Sequence, residues 1–156
     1  ITMAKIAREV ESKKSSYIDV PYTFENKVTA YLAKAAVKAA LRLNTKGIVA
    51  DSLTGKSIRE LSAYRGDNPI YALIYDRRIV RQLSLSFGVF AEYMPMDTSS
   101  AQPLKESICE LINGKRFKNE DLIIVLAGSF GVKQGASYIE ISKAGTFKKK
   151  TGLNAE

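Results

Sequence analysis

The sequence predicts one α/β domain, a three-layer α/β/α sandwich around a mixed five-stranded sheet whose last strand runs antiparallel. Three observations lead there. Short apolar runs alternate with segments of helical spacing, so parallel strands joined by right-handed helical crossovers are expected. Gly, Pro and Asn turn signals separate the segments. The last two apolar runs are joined by a short loop with no room for a helix, so they pair as a hairpin. A length of 156 residues suits a single domain.

The elements follow in order. Met3, Ile6, Ala7 and Val10 recur at helical spacing from Thr2 to Ser12, and Ser15 to Pro21 breaks the pattern. A longer helix is expected from about Thr23 to Leu43, with Val28, Leu32, Ala35, Ala36, Ala39 and Leu43 as its buried face. The small residues there call for a close neighbour, and Lys46-Gly47 is the expected stop. Gly47 to Asp51 reads as a buried strand, followed by a helix from Lys56 to Tyr64 and a turn at Gly66-Asp67-Asn68-Pro69. Ile70 to Tyr75 is the second strand. Asp76 is placed to cap a helix running to Leu85, ahead of Gly88 and a third strand from Val89 to Met94. A polar stretch leads into a helix from Pro103 to Ile112, stopped at Asn113-Gly114. Leu122 to Ala127 is the strongest strand signal, and Tyr138-Ile139-Glu140-Ile141 alternates as the last strand. Three regions result: a helix and hinge over 1–20, the domain proper over 21–143, and a polar basic tail over 144–156 expected to be disordered.

Composition excludes several functions. There is no histidine and one cysteine, which removes a zinc site, a Ser-His-Asp triad and an internal disulfide. Cys109, beside Ile108 and Ile112, reads as core packing, and a single unpaired thiol fits a reducing cytoplasm. No apolar run reaches the roughly 20 residues of a membrane helix, and Lys5, Arg8 and Glu9 interrupt any secretory signal. The chain starts at Ile1 without an initiator Met, as an excised piece would. A net charge of +8 fits either a nucleic-acid surface or a site for phosphorylated small molecules. The basic residues are spread out apart from Lys148, Lys149 and Lys150, and no aromatic-basic interleaving appears, so nucleic acid is not the expected partner. No catalytic residue or metal ligand is assigned, and the chain is not expected to catalyse a reaction alone.

Open α/β sheets bind ligands at the carboxyl ends of their strands. The first such loop offers hydroxyls on Ser52, Thr54 and Ser57, a flexible Gly55 and the cation of Lys56. With the N–H groups of the next helix, these suit a phosphate. The plain alternative is that Ser52 or Thr54 caps the helix and Lys56 is solvated. A nucleotide P-loop is excluded, because the glycine needed five residues before Gly55 is Ala50. The second loop, Gly128 to Gly135 with Gly131 and Lys133, permits close backbone approach to a ligand or simply turns a hairpin.

Taken together, Ala35 through Gly55-Lys56-Ser57 to Tyr64-Arg65, Pro69-Ile70, Leu83 to Val89 with Phe87-Gly88-Val89, Glu120-Asp121 and Gly128 to Gly135 resemble the carboxy-terminal domain of pyruvate kinase. Met3 to Glu11 is similar to the helix that closes that family's catalytic barrel. The resemblance covers about residues 3 to 142 and implies a regulatory and oligomerisation domain of a cytoplasmic, homotetrameric glycolytic enzyme. Such an enzyme transfers a phosphoryl group from phosphoenolpyruvate to ADP with Mg²⁺ and K⁺ in its barrel. The implied partners are that barrel, further copies of the chain and a phosphorylated effector; no cofactor is implied for the domain itself. Ser52, Thr54, Gly55, Lys56 and Ser57 correspond to the loop that grips an effector phosphate, and Gly128, Gly131, Lys133 and Gly135 to the loop that closes over the sugar. The chain departs from the family at Ser137-Tyr138, at Arg65-Gly66, and at Pro103, where some members place an arginine on a second phosphate. Lys105 and Lys133 are the available substitutes, and fructose 1,6-bisphosphate is thereby put in question. A stand-alone sensor of the same fold is the competing reading.

Overall fold

The structure, a computed structural model, describes residues 2–12, 26–95, 103–128 and 135–149. Its elements are α1 (Thr2–Ser12), α2 (Lys27–Leu43), β1 (Gly47–Ser52), α3 (Lys56–Ala63), β2 (Ile70–Ile74), α4 (Arg77–Leu83), β3 (Val89–Tyr93), α5 (Pro103–Asn113), β4 (Leu122–Ala127), β5 (Tyr138–Lys143) and α6 (Ala144–Lys149). The strands form one five-stranded sheet in the order β3-β2-β1-β4-β5. The first four run parallel, and β5 pairs antiparallel with β4 from Leu122↔Lys143 to Ala127↔Tyr138. The expected mixed α/β sandwich is therefore the observed fold.

Alternation along the strands builds two cores. Ile48 and Ala50 of β1, with Ile74 of β2 and Leu126 of β4, face Ala36, Val37, Ile58, Leu61, Tyr64 and Leu83 on the side of α2, α3 and α4. Val49, Leu73, Ile123 and Val125 face Ile108, Leu111, Ala144 and Phe147 on the side of α5 and α6. Both faces of β1, β2 and β4 are covered, which is why their sequences read as apolar runs, whereas β3 at the sheet edge is largely exposed.

Three expectations need correction. The buried face of α2 is Thr29, Ala30, Ala33, Ala36, Val37 and Ala40, while Val28 and Leu43 are exposed. Ala36 is shared with the expected face, and Leu32 and Ala39 pack at its margin. The helix also ends earlier than Gly47: Asn44 is its C-cap in the left-handed conformation (φ 49°), and its N–H donates to Ala40. Gly47 instead opens β1 beneath the Tyr71 and Phe117 rings. The tail begins as a helix, because Ala144 and Phe147 of α6 are buried in the second core. Residues 150–156 lie outside the described residues.

At the other end, α1 is exposed at residues 2–10 and at Ser12, including Met3, Ile6 and Val10. No helix among the described residues is long and apolar enough to cross a membrane.

Candidate effector site at the strand ends

The sheet order places the site. From β1 the chain winds outward through β2 to β3, then returns to β4 on the other side of β1. The crevice between β1 and β4 is therefore the topological switch point, where the loops at the carboxyl ends diverge and leave room for a ligand. Both candidate loops begin at this crevice: β1 runs into Ser52 to Ser57, and β4 runs into Gly128.

The first loop is held by its own side chains. Ser52 Oγ accepts a hydrogen bond from the Gly55 N–H at 2.9 Å, and Thr54 Oγ1 accepts from the Lys56 N–H at 3.5 Å. Arg59 clips it from outside, donating through Nη1 to the Thr54 carbonyl (3.3 Å) and through Nη2 to Gln82 Oε1 (2.9 Å). Gly55 is the N-cap residue of α3 and has φ 74°. A Cβ there would also lie 2.8 Å from Ile79 Cγ2, so glycine is required on two counts. Whereas α2 and α4 are capped by the Asn26 and Asp76 side chains, α3 has no side-chain cap bond. The N-cap residue is thus Gly55 itself, while the Ser52 and Thr54 hydroxyls accept the N–H groups of Gly55 and Lys56 at the helix start, as the capping alternative expects. Ser57 is buried in its first turn and Lys56 is exposed at the rim. One turn along, Glu60 is buried at 7% exposure, and its Oε2 makes no hydrogen bond. Burial pushes its carboxyl up to about 7, against the pull of the Lys56 charge.

Of the second loop, Gly128 and Gly135 lie among the described residues, and Gly131 and Lys133 lie outside them. The two glycines form the neck of the hairpin: a Cβ on Gly128 would collide with the Gly135 carbonyl oxygen. A Cβ on Gly135, which has φ 80°, would lie 2.5 Å from Thr29 Oγ1 at the start of α2. Below the neck, the Ser137 N–H donates to the Ala127 carbonyl at 2.9 Å. These two glycines therefore have a structural role at the mouth of the crevice. Lys105, one of the two candidate second-phosphate cations, is half-buried on α5; the other, Lys133, is outside the described residues.

Sequence reasoning passed over one feature of the crevice. Asp51 interrupts the apolar run of β1, and alternation puts its side chain on the α5 side, opposite to that of Ser52. The Tyr75 hydroxyl beyond β2 and the Gly128 N–H beyond β4 lie near its carboxylate and favour its charged form. Tyr138, first residue of β5, is close enough for the Asp51 charge to hold its hydroxyl up, after the larger effect of burial. Burial raises the Asp51 carboxyl to about 6 despite those donors, and Oδ1 is buried without a well-formed hydrogen bond. A carboxylate ending an apolar strand is the signal that marked this group.

Comparison with known proteins follows the same geometry. The family described as "Pyruvate kinase, alpha/beta domain" matches residues 31–142. The chain belongs to this family. Pyruvate kinase of Borreliella burgdorferi is 26% identical over 145 residues, which cover 90% of this chain and 30% of that protein. That of Bacillus licheniformis is 29% identical over 104 residues, covering 67% of this chain and 18% of its own length. The fold is also that of a Cryptosporidium parvum pyruvate kinase solved in complex with ADP, with TM-score 0.68, 21% identity, and coverage of 92% of this chain and 27% of that one. The chain thus spans less than a third of these relatives and matches their α/β domain.

Arg65, Gly66 and Tyr138, singled out in the sequence, each have defined surroundings. Arg65 is in the left-handed region (φ 48°), and its guanidinium lies 5.1 Å over the Phe87 ring. Gly66 abuts α2, where a Cβ would lie 2.7 Å from Val37 Cγ1. Tyr138 belongs to the group around Asp51.

Proposed function

We propose that this domain is the regulatory and oligomerisation part of a pyruvate kinase, and that it binds a phosphorylated sugar at the crevice between β1 and β4. The phosphate sits against Ser52, Thr54, Gly55, Lys56 and Ser57. The observation that carries the reading is the start of α3 at the switch point, where the N-cap residue is Gly55, which has no side chain, and Lys56 stands exposed beside it. Gly128 and Gly135, at the neck of the hairpin between β4 and β5, lie across the crevice from it.

In this reading the phosphoryl transfer from phosphoenolpyruvate to ADP, with its Mg²⁺ and K⁺, belongs to the barrel of a longer, cytoplasmic parent enzyme. Effector binding here biases the equilibrium between states of a homotetramer. The exposed stripe of Met3, Ile6 and Val10 on α1 supports contact with such a barrel, since an isolated helix of 11 residues is marginal in water.

Calorimetric titration with fructose 1,6-bisphosphate, glucose 6-phosphate, ribose 5-phosphate and AMP tests the site. Saturable binding of at least one, weakened tenfold or more by Lys56→Ala, is the expected result. Silence from every compound with the protein folded refutes an effector site formed by this chain alone.

A further inference from the structure

We infer that Asp51 is a specificity-determining residue of the crevice, selecting ligands that carry one phosphate and present neutral hydroxyls, rather than a second phosphate, to the α5 side of the strand ends. This rests on the phosphate-site reading above and adds the chemistry of the rest of the ligand.

The geometry divides the strand end in two. Ser52 and Asp51 are neighbours in β1, so their side chains leave the sheet on opposite faces. Ser52 turns to the α3 side and orders the phosphate loop through the Gly55 N–H. Asp51 turns to the α5 side, two residues beyond Val49 of that core. A ligand anchored by phosphate on the α3 side and crossing the switch point therefore comes near Asp51 and the exposed Tyr138, with the Tyr75 hydroxyl buried behind them.

Asp51 and Tyr138 define what is welcome there. A carboxylate accepts hydrogen bonds, and the Tyr138 hydroxyl both donates and accepts, a set that matches sugar hydroxyls. A second phosphate would be placed near a carboxylate in a partly buried crevice, where like charges are weakly screened. Retention of a carboxylate with a buried, unsatisfied oxygen is itself costly and calls for a reason beyond packing. An apolar residue would continue β1 without that cost, as Leu73 does at the paired position in β2.

The test compares glucose 6-phosphate with glucose 1,6-bisphosphate, which differ by one phosphate, on the full chain and on Asp51→Asn, Asp51→Ser and Lys56→Ala. The wild-type chain is expected to bind the monophosphate roughly fivefold or more tightly than the bisphosphate, a factor set by charge repulsion across about 10 Å. Either Asp51 variant should close that gap, chiefly by tightening the bisphosphate, and Lys56→Ala should weaken both ligands. A wild-type chain that prefers the bisphosphate, or a ratio unmoved in folded Asp51 variants, overturns the inference while loss in Lys56→Ala leaves the phosphate site standing. Indifference of both ligands to Lys56→Ala, or no binding of either, overturns the site and the inference together.

Discussion

Gly66 and Val37 touch so closely that a single added methyl would bring a Cβ to 2.7 Å from Val37 Cγ1. This contact sets the approach of the turn after α3 to α2, and Val37 is itself buried at 1% exposure. Gly66→Ala should therefore destabilise the domain by about 1–3 kcal/mol, the usual cost of overpacking. Val37→Ala should recover part of that loss in the double variant, giving a favourable coupling in a denaturation cycle. Additive losses would show that the two residues do not share a steric limit.

Gly55 and Gly88 separate backbone strain from collision. Both have positive φ, 74° and 69°, but only Gly55 has a neighbour in the way, Ile79 Cγ2 at 2.8 Å. Gly88→Ala should cost about 1 kcal/mol, and Gly55→Ala distinctly more. Gly55→Ala should also weaken phosphate binding, because it displaces the N–H groups at the start of α3. Equal losses of stability in urea would contradict the packing at Ile79.

Asp51 gives a signed pH dependence. Its carboxyl titrates near 6 in the folded chain against 3.8 ordinarily, so between those values the folded state holds a proton that the unfolded state has released. Stability due to this group is greatest at low pH, falls as pH rises through that window, and is level above it. Asp51→Asn removes the fall and should gain about 1–2 kcal/mol over wild type at pH 7.5. Glu60 acts in the same sense over a window reaching about 7, so Glu60→Gln should flatten the remaining decline in Tm between pH 5 and 7.5. A decline that survives both substitutions would place the penalty elsewhere.

Much of this was legible in the residues, and the exceptions have physical causes. The strands and the start of α3 follow local signals: Leu122–Ala127 is both the strongest apolar run and β4. The face of α2 followed only in part: Ala36, with Leu32 and Ala39 beside it, packs on the core as expected, but in a helix rich in alanine on several sides the pattern alone does not fix the rotation that buries Ala33, Val37 and Ala40. Asn44 outcompeted Gly47 as the helix stop, since asparagine also adopts the left-handed conformation and comes first. The Asp51 group was hidden for another reason. Asp51, Tyr75, Gly128 and Tyr138 come from four places in the sequence, and only the strand order joins them. At the phosphate loop the residue types were evident, while the clip by Arg59 and Gln82 emerged from the packing of α3 beside α4.

The most direct measurement is a titration followed by amide chemical shifts, with glucose 6-phosphate added to the isotopically labelled chain. Saturable shifts concentrated at Ser52 to Ser57 and Gly128, and lost in Lys56→Ala, are the predicted result. Shifts confined to other surfaces, or none at millimolar ligand, would contradict a phosphate site at the switch point.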